Sequence, residues 1–440
     1  MNLDAALTLL ALAEIPGEDR LHGLKKHLNP EWIEEALYAT GTVTLRKRRL
    51  PAEQVLWLVI GMALMRGESI DRVVDKLELA LPDRGATAVA KSAISKARQR
   101  LGDGPLAYLF AVTAAEWATR SADAHRWRGL ALYGLDGTTM RVADSPENRA
   151  TFGGQTGPRG ASGYPQVRVV ALMALRSHVL SAFRFADYGT GETTLARDIW
   201  NEMPEESLAI VDRNFLVKKD LIHLETSGNR HWLSRTKSNT TWAIREKLGK
   251  DDYLVEWDVK QPGLPTTWTL RAIHYQKKGF ARATLLTSLL DAEKYPAKEL
   301  IALYHERWEL EIGYDELKTH MLDRKESIRS KTPDGVHQEL WGIALAYNLV
   351  RVEMERVAAE AKVLPTRISF VGCLALIRDE FHTLTLRTMT PGAIPASLAN
   401  MRRLLKRLVL PPRRDRTYPR AVKVKMSNYP RKRPSVTPAK

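Results

Sequence analysis

The chain has 440 residues, 44% of them hydrophobic, and a formal net charge of +16. That length supports a buried core and two or three domains, and the basic excess points to a polyanionic partner, most often nucleic acid. The single cysteine, Cys373, excludes an internal disulfide and a cysteine-based zinc site, the apolar stretch 55–65 is too short to span a bilayer, and no G-x4-G-K-[ST] phosphate loop occurs.

The N-terminal run MNLDAALTLLALAEIPGED has no preceding Lys or Arg, so it is expected as an amphipathic helix rather than a signal peptide. Residues 1–128 read as a helical domain. Proline 51 opens an apolar helix at its first turn, where its missing N–H costs nothing. The segment VAKSAISKARQR (89–100) places Lys91, Lys96, Arg98 and Arg100 on a small-residue helix preceded by another helix. A helix-turn-helix DNA reader has this pattern, as does a solvated basic helix. RKRR at 46–49 is a second candidate phosphate contact.

Past Trp127 the texture changes to short apolar runs. LALYGLDG (130–137) ends in Asp136, and VRVVALMALRSHVLSAFRFAD (167–187) reads as two strands with a turn near Ser177-His178. ESLAIVDRNF (206–215) is another strand, ending at Asp212, and the Gly-rich FGGQTGPRGASGYPQ between them is expected as a loop. Residues 229–289 form a block rich in Trp, Thr, Tyr and Val. From Pro296 a long helix is expected, with further helices over 335–361 and in a C-terminal region, 351–440. This order predicts a mixed α/β core over 129–350, interrupted by a β-rich insertion. It also places Asp136 and Asp212 at strand ends, where open sheets display functional groups.

The expected helix contains YHERWELEIGYDELK (304–318), with five acidic side chains. On an ideal helix with Tyr304 at zero, Arg307, Lys318 and Glu311 fall at about 300°, 320° and 340°, with Asp315 near the edge at about 20°. Glu306, Glu309 and Glu316 point elsewhere, at about 200°, 140° and 120°. Leu303, Leu310 and Leu317 form a neighbouring apolar seam. Alone, this describes a helix with an Arg307–Glu311 ion pair. Three carboxylates meeting at a sheet edge would repel one another unless divalent cations lay between them. Carboxylate and water ligands suit Mg²⁺, and two such ions serve phosphodiester cleavage.

The spacing of Tyr304, Arg307, Glu311 and Lys318 is Y-x2-R-x3-E-x6-K. With LDGTTMRVADSPENRATFG around Asp136 and IVDRNF around Asp212, the chain resembles the DDE transposases of bacterial insertion sequences. Within them it is similar to the IS-four-type group bearing that signature, over roughly residues 25–400. The resemblance implies an RNase H-like catalytic core with a β-rich insertion at about 229–289. It implies that Asp136, Asp212 and Glu311 are the catalytic, metal-binding triad for Mg²⁺ (Mn²⁺ in substitution), two ions per site. Tyr304, Arg307 and Lys318 would contact DNA near the cut, and the N-terminal domain, with Lys96, Arg98 and Arg100, would read the terminal inverted repeats. Transposon ends and target DNA would be the substrates, a homodimer would pair the ends, and the protein would be cytoplasmic, on the nucleoid when DNA-bound. A nuclease without strand transfer and an inactive DNA-binding relative are the alternatives. One departure is visible: where relatives carry a base-stacking tryptophan before the last insertion strand, this chain has Ala283, and Trp257 or Trp268 would have to substitute.

Overall fold

The computed structural model describes residues 28–44, 50–77, 79, 89–157, 160–161, 163–226, 228–237, 240–277, 280–323, 327–386 and 393–411. The N-terminal run 1–19, the basic segment 46–49 and residues 412–440 lie outside the described residues.

The N-terminal part is helical. α1 (Pro30–Ala39) starts with proline at its first position and the Asn29 side chain capping the Glu31 N–H. α2 (Ala52–Leu64) is buried around its circumference, as a near-continuous apolar helix must be. α3 (Ile70–Lys76), α4 (Lys91–Leu101) and α5 (Gly104–Asp123) follow.

Then the sheet begins. β1 (Ala131–Arg141) is followed by α6 (Pro146–Phe152) and a small hairpin, β2 (Thr156–Gly157) and β3 (Gly160–Ala161). β4 (Gln166–Ala174) and β5 (Leu180–Asp187) complete an antiparallel meander with β1, turning near Ser177-His178 as the sequence predicts. The chain then crosses over through α7 (Glu192–Trp200) to β6 (Ser207–Val211), and through α8 (Lys218–Glu225) to β7 (Arg230–Arg235). Both of these strands add in parallel, which requires crossovers of this length. The resulting order, β5-β4-β1-β6-β7, with three antiparallel strands and two parallel ones, is the RNase H-like core.

The β-rich block does not form a sheet of its own. β8 (Ala243–Gly249), β9 (Asp252–Asp258), β10 (Thr267–Tyr275) and β11 (Ala283–Thr287) extend the core sheet to nine strands in the order β7-β11-β10-β9-β8. β7, at the start of that block, belongs to the core by its pairing with β6.

Residues 297–320 correct the expectation of one long helix. α9 (Ala297–His305) and α10 (Trp308–Asp315) are separate, and a π turn (Glu316–His320) follows. At the junction the N–H groups of Glu306, Arg307, Glu309 and Leu310 each donate to the carbonyl three residues earlier, which tightens the turn. Leu303, Leu310 and Leu317 stay buried across the break and into the π turn. α11 (Pro333–Ala361), α12 (Phe370–Leu386) and α13 (Ala393–Leu405) complete the described chain.

Two apolar layers sandwich the sheet. Leu130, Leu132, Leu208 and Ile210 join α2, α5, α10 and α11 on one face. Ala131, Tyr133, Leu135, Ala209 and Val211 join α7 and α8 on the other. The alternation is the period of two that a strand buried on both faces must show.

Candidate functional site at the edge of the parallel strands

The parallel ladder of β1 and β6 runs from Ala131↔Ser207 to Leu135↔Val211. Asp136 and Asp212 are the next residues on each strand. By alternation both continue the face that carries Leu132, Leu208 and Ile210, the face covered by α10 and α11. Asp212 follows the last residue of β6, as expected. Asp136 corrects its expected strand-end position: β1 continues to Arg141, paired with β4, and only its pairing with β6 ends there. Each carboxylate accepts from the next backbone N–H at 2.8 Å, Asp136 from Gly137 and Asp212 from Arg213.

α10 lies across this edge because β1 has no side chain beneath it at Gly134. A Cβ there would collide with the Leu310 side chain. The close approach brings Arg307 to 3.8 Å from Asp136 and 3.1 Å from Glu311. Lys318 donates to the Thr138 hydroxyl at 3.0 Å, two residues along the same strand face. Tyr304 is buried, and burial pushes its hydroxyl up to about 12. So Tyr304, Arg307, Glu311 and Lys318 lie along one side of the segment, despite the break in the helix.

The electrostatics of this edge are unbalanced toward negative charge. Burial, with Asp212 and Glu192 nearby, pushes the Asp136 carboxyl up to about 6, against the Gly137 N–H and the Arg307 guanidinium. Burial works against the Arg307 charge, yet Tyr304, Asp136, Asp212 and Glu311 together hold its pKa above the usual range. Among the described residues no three Asp, Glu, His or Cys side chains converge at metal-ligating spacing. The Arg307 cation stands between Asp136 and Glu311. The donors here are carboxylate oxygens carrying surplus negative charge, a chemistry that fits a hard divalent cation.

The remaining acids of the segment are committed elsewhere. Glu306 binds Arg176 through two hydrogen bonds at 2.8 and 2.9 Å. Glu309 bonds His178 Nε2 at 3.0 Å. Glu316 is buried among Arg351, the Tyr347 hydroxyl (2.9 Å) and His178 Nδ1 (3.3 Å). Asp315 accepts from the Thr319 hydroxyl at 2.7 Å.

Two residues that sequence reasoning missed touch the site. The Tyr314 hydroxyl donates to the Asp136 carbonyl and accepts from the Ala171 N–H at 3.0 Å, bridging facing residues of β1 and β4. At about 280° on the helix, Tyr314 adjoins the signature stripe, so a signal for it was present. Glu192, at the start of α7, had no such signal; only the fold brings it beside Gly137.

The expected N-terminal contacts divide. Lys96 and Arg100 lie on the exposed side of α4. Arg98 does not join them: its guanidinium reaches Gln338 at 2.7 Å and Ser330 at 3.4 Å, turned toward α11. Both insertion tryptophans are engaged within the protein. Trp268 is buried and donates to Glu225 at 3.0 Å. Trp257 stacks on Trp268 at 6.0 Å, with the Lys218 ammonium 4.2 Å from its ring centre.

Comparison with known proteins gives the family. Residues 18–111 match the family model described as insertion element 4 transposase N-terminal, and residues 130–349 match the transposase DDE domain. The chain is 38% identical over 421 residues to "Transposase InsG for insertion sequence element IS4" of Escherichia coli (strain K12), covering 93% of each. It is 36% identical over 211 residues to "Putative transposase InsZ" of the same strain, covering 47% of this chain and 69% of that one. A cryo-EM structure of the piggyBac transposase synaptic complex with hairpin DNA is similar over 90% of this chain and 86% of that chain, with 11% identity and a TM-score of 0.43. With both family models in order along the chain and a relative aligned over nearly its whole length, the chain belongs to the IS4-type transposases that carry a DDE domain.

Proposed function

We propose that this transposase cuts the ends of its insertion sequence and joins them to target DNA in Mg²⁺-dependent steps, with Asp136, Asp212 and Glu311 as the residues that hold two cations. The observation that carries the reading is the pairing of β1 and β6. It delivers Asp136 and Asp212 side by side as the ladder ends, and α10 presents Glu311 to them through Arg307. Divalent cations at such an edge supply Lewis-acid chemistry for phosphodiester cleavage and strand transfer.

The chain's own groups do the rest. Arg307 balances the carboxylates in the free protein and turns to a DNA phosphate when cations take that role. Lys318 and Tyr304 flank the same edge and steady the strand near the cut. Lys96 and Arg100, on exposed α4, contact the terminal repeats as part of the N-terminal domain. Two chains pair the two ends, and the protein works in the cytoplasm on nucleoid DNA. The net charge of +16 makes end binding salt-dependent, because each phosphate contact releases counterions.

The test is Glu311→Gln with a cognate end and a plasmid target in Mg²⁺ buffer. Loss of both cleavage and joining is expected. Cleavage that survives the change overturns the role of Glu311, and wild-type cleavage without joined product reduces the reading to a nuclease.

A further inference from the structure

Glu192 opens α7 and meets the catalytic edge from the sheet face opposite α10. Its Cδ lies 2.5 Å from where a Cβ on Gly137 would stand, so the residue after Asp136 must lack a side chain for this carboxylate to reach the strand. Its Oε1 accepts from Arg168 on β4 at 3.2 Å. Its Oε2 accepts from the Asn214 side chain at 3.2 Å, in the short turn that Asp212 caps. Arg168 is held in turn by the Tyr188 carbonyl at 2.9 Å and lies 4.8 Å from the Tyr188 ring centre. One side chain therefore touches the segments bearing both aspartates, and its charge is felt at Asp136.

An isolated salt bridge to Arg168 would leave most of this unexplained. It would not require a glycine beside Asp136 or a second bond into the turn after Asp212. We infer that Glu192 is a positioning residue of the transposase site: it locks β1 against the turn after β6 and adds a fixed negative charge behind Asp136 and Asp212 that strengthens their hold on a divalent cation. This rests on the proposed cation-holding role of the two aspartates.

The experiment measures Mn²⁺ binding to the full chain without DNA, by electron paramagnetic resonance of the free ion. It compares wild type, Glu192→Gln and Asp136→Asn, with thermal unfolding followed in parallel. Glutamine keeps the length of the side chain and one acceptor, for Arg168, while removing the charge and the second acceptor that faces Asn214. Glu192→Gln is expected to weaken Mn²⁺ binding about tenfold, with the chain still fully folded at the assay temperature in metal-free buffer. The Mg²⁺ concentration for half-maximal end cleavage should rise by about the same factor, with the rate at saturating Mg²⁺ largely restored. Wild-type Mn²⁺ affinity in Glu192→Gln, or weakening seen only where the variant has begun to unfold, overturns the inference. Asp136→Asn separates the two layers. If it abolishes Mn²⁺ binding while Glu192→Gln is silent, only the role of Glu192 fails. If it also leaves binding intact, the cation-holding reading fails with it.

Discussion

Glu311 and Glu316 lie five residues apart on one segment, yet they live under opposite rules. Glu311 is 40% exposed and has Arg307, one turn away, as its ion-pair partner, an arginine that is also drawn to Asp136. Glu316 is buried, with Arg351, Tyr347 and His178 closing around it. The first arrangement leaves charge in surplus at an open edge, the place proposed above for DNA and cations. The second neutralises charge inside the core, where any imbalance is costly. Acidic residues close in sequence thus divide into chemistry and architecture, and the division follows the two sides of the helix.

The largest expected effect tests the chemical side. Asp212→Asn should reduce end cleavage by at least about a thousandfold, roughly 4 kcal/mol of transition-state stabilisation, while the melting temperature holds. A single-turnover cleavage assay beside a thermal melt reads both; a variant that cleaves normally would remove Asp212 from the site. The architectural side is tested by Glu316→Gln. It removes the carboxylate that faces the buried Arg351 guanidinium, and a loss of about 3–5 kcal/mol is expected in urea unfolding. A fully stable Glu316→Gln variant would end the contrast between the two acids.

Sequence and structure agree where local chemistry decides. The spacing of Tyr304, Arg307, Glu311 and Lys318 placed them on one stripe, and the strands carrying Asp136 and Asp212 could be read from their apolar runs. The helix break at 306–307 was not readable, because no glycine or proline marks it and only the hydrogen bonds of the folded chain reveal it. The inward turn of Arg98 depends on Gln338 and Ser330, more than 230 residues away. Glu192 was silent for the same reason: its value lies in a glycine on another strand. The β-rich block read correctly as strands, but its continuity with the core sheet is a matter of pairing partners, which composition does not specify.

Tyr314 stands between the two classes. It is buried with the apolar seam, and its hydroxyl joins the Asp136 carbonyl to the Ala171 N–H. Tyr314→Phe removes the hydroxyl that bridges these two facing groups, at a cost of about 0.5–1.5 kcal/mol. Because one of those groups belongs to Asp136, cleavage should fall more than stability alone accounts for. Comparing the rate at a temperature where both proteins are fully folded checks this. An unchanged rate there would place Tyr314 wholly on the architectural side.

The smallest effect is the sharpest control. Glu309 is two residues from Glu311 and on the other side of the helix, where it bonds His178 at 3.0 Å. Glu309→Gln retains an acceptor for the imidazole and loses a charge at the margin of the buried network. A stability loss of about 1 kcal/mol or less is expected, with end cleavage unchanged. The pair Glu309→Gln and Glu311→Gln therefore asks whether position on the helix, rather than acidity or proximity in sequence, selects the working carboxylate. If both variants lose cleavage alike while remaining folded, the partition of this segment into two sides fails, and the His178 network has to be counted as part of the site.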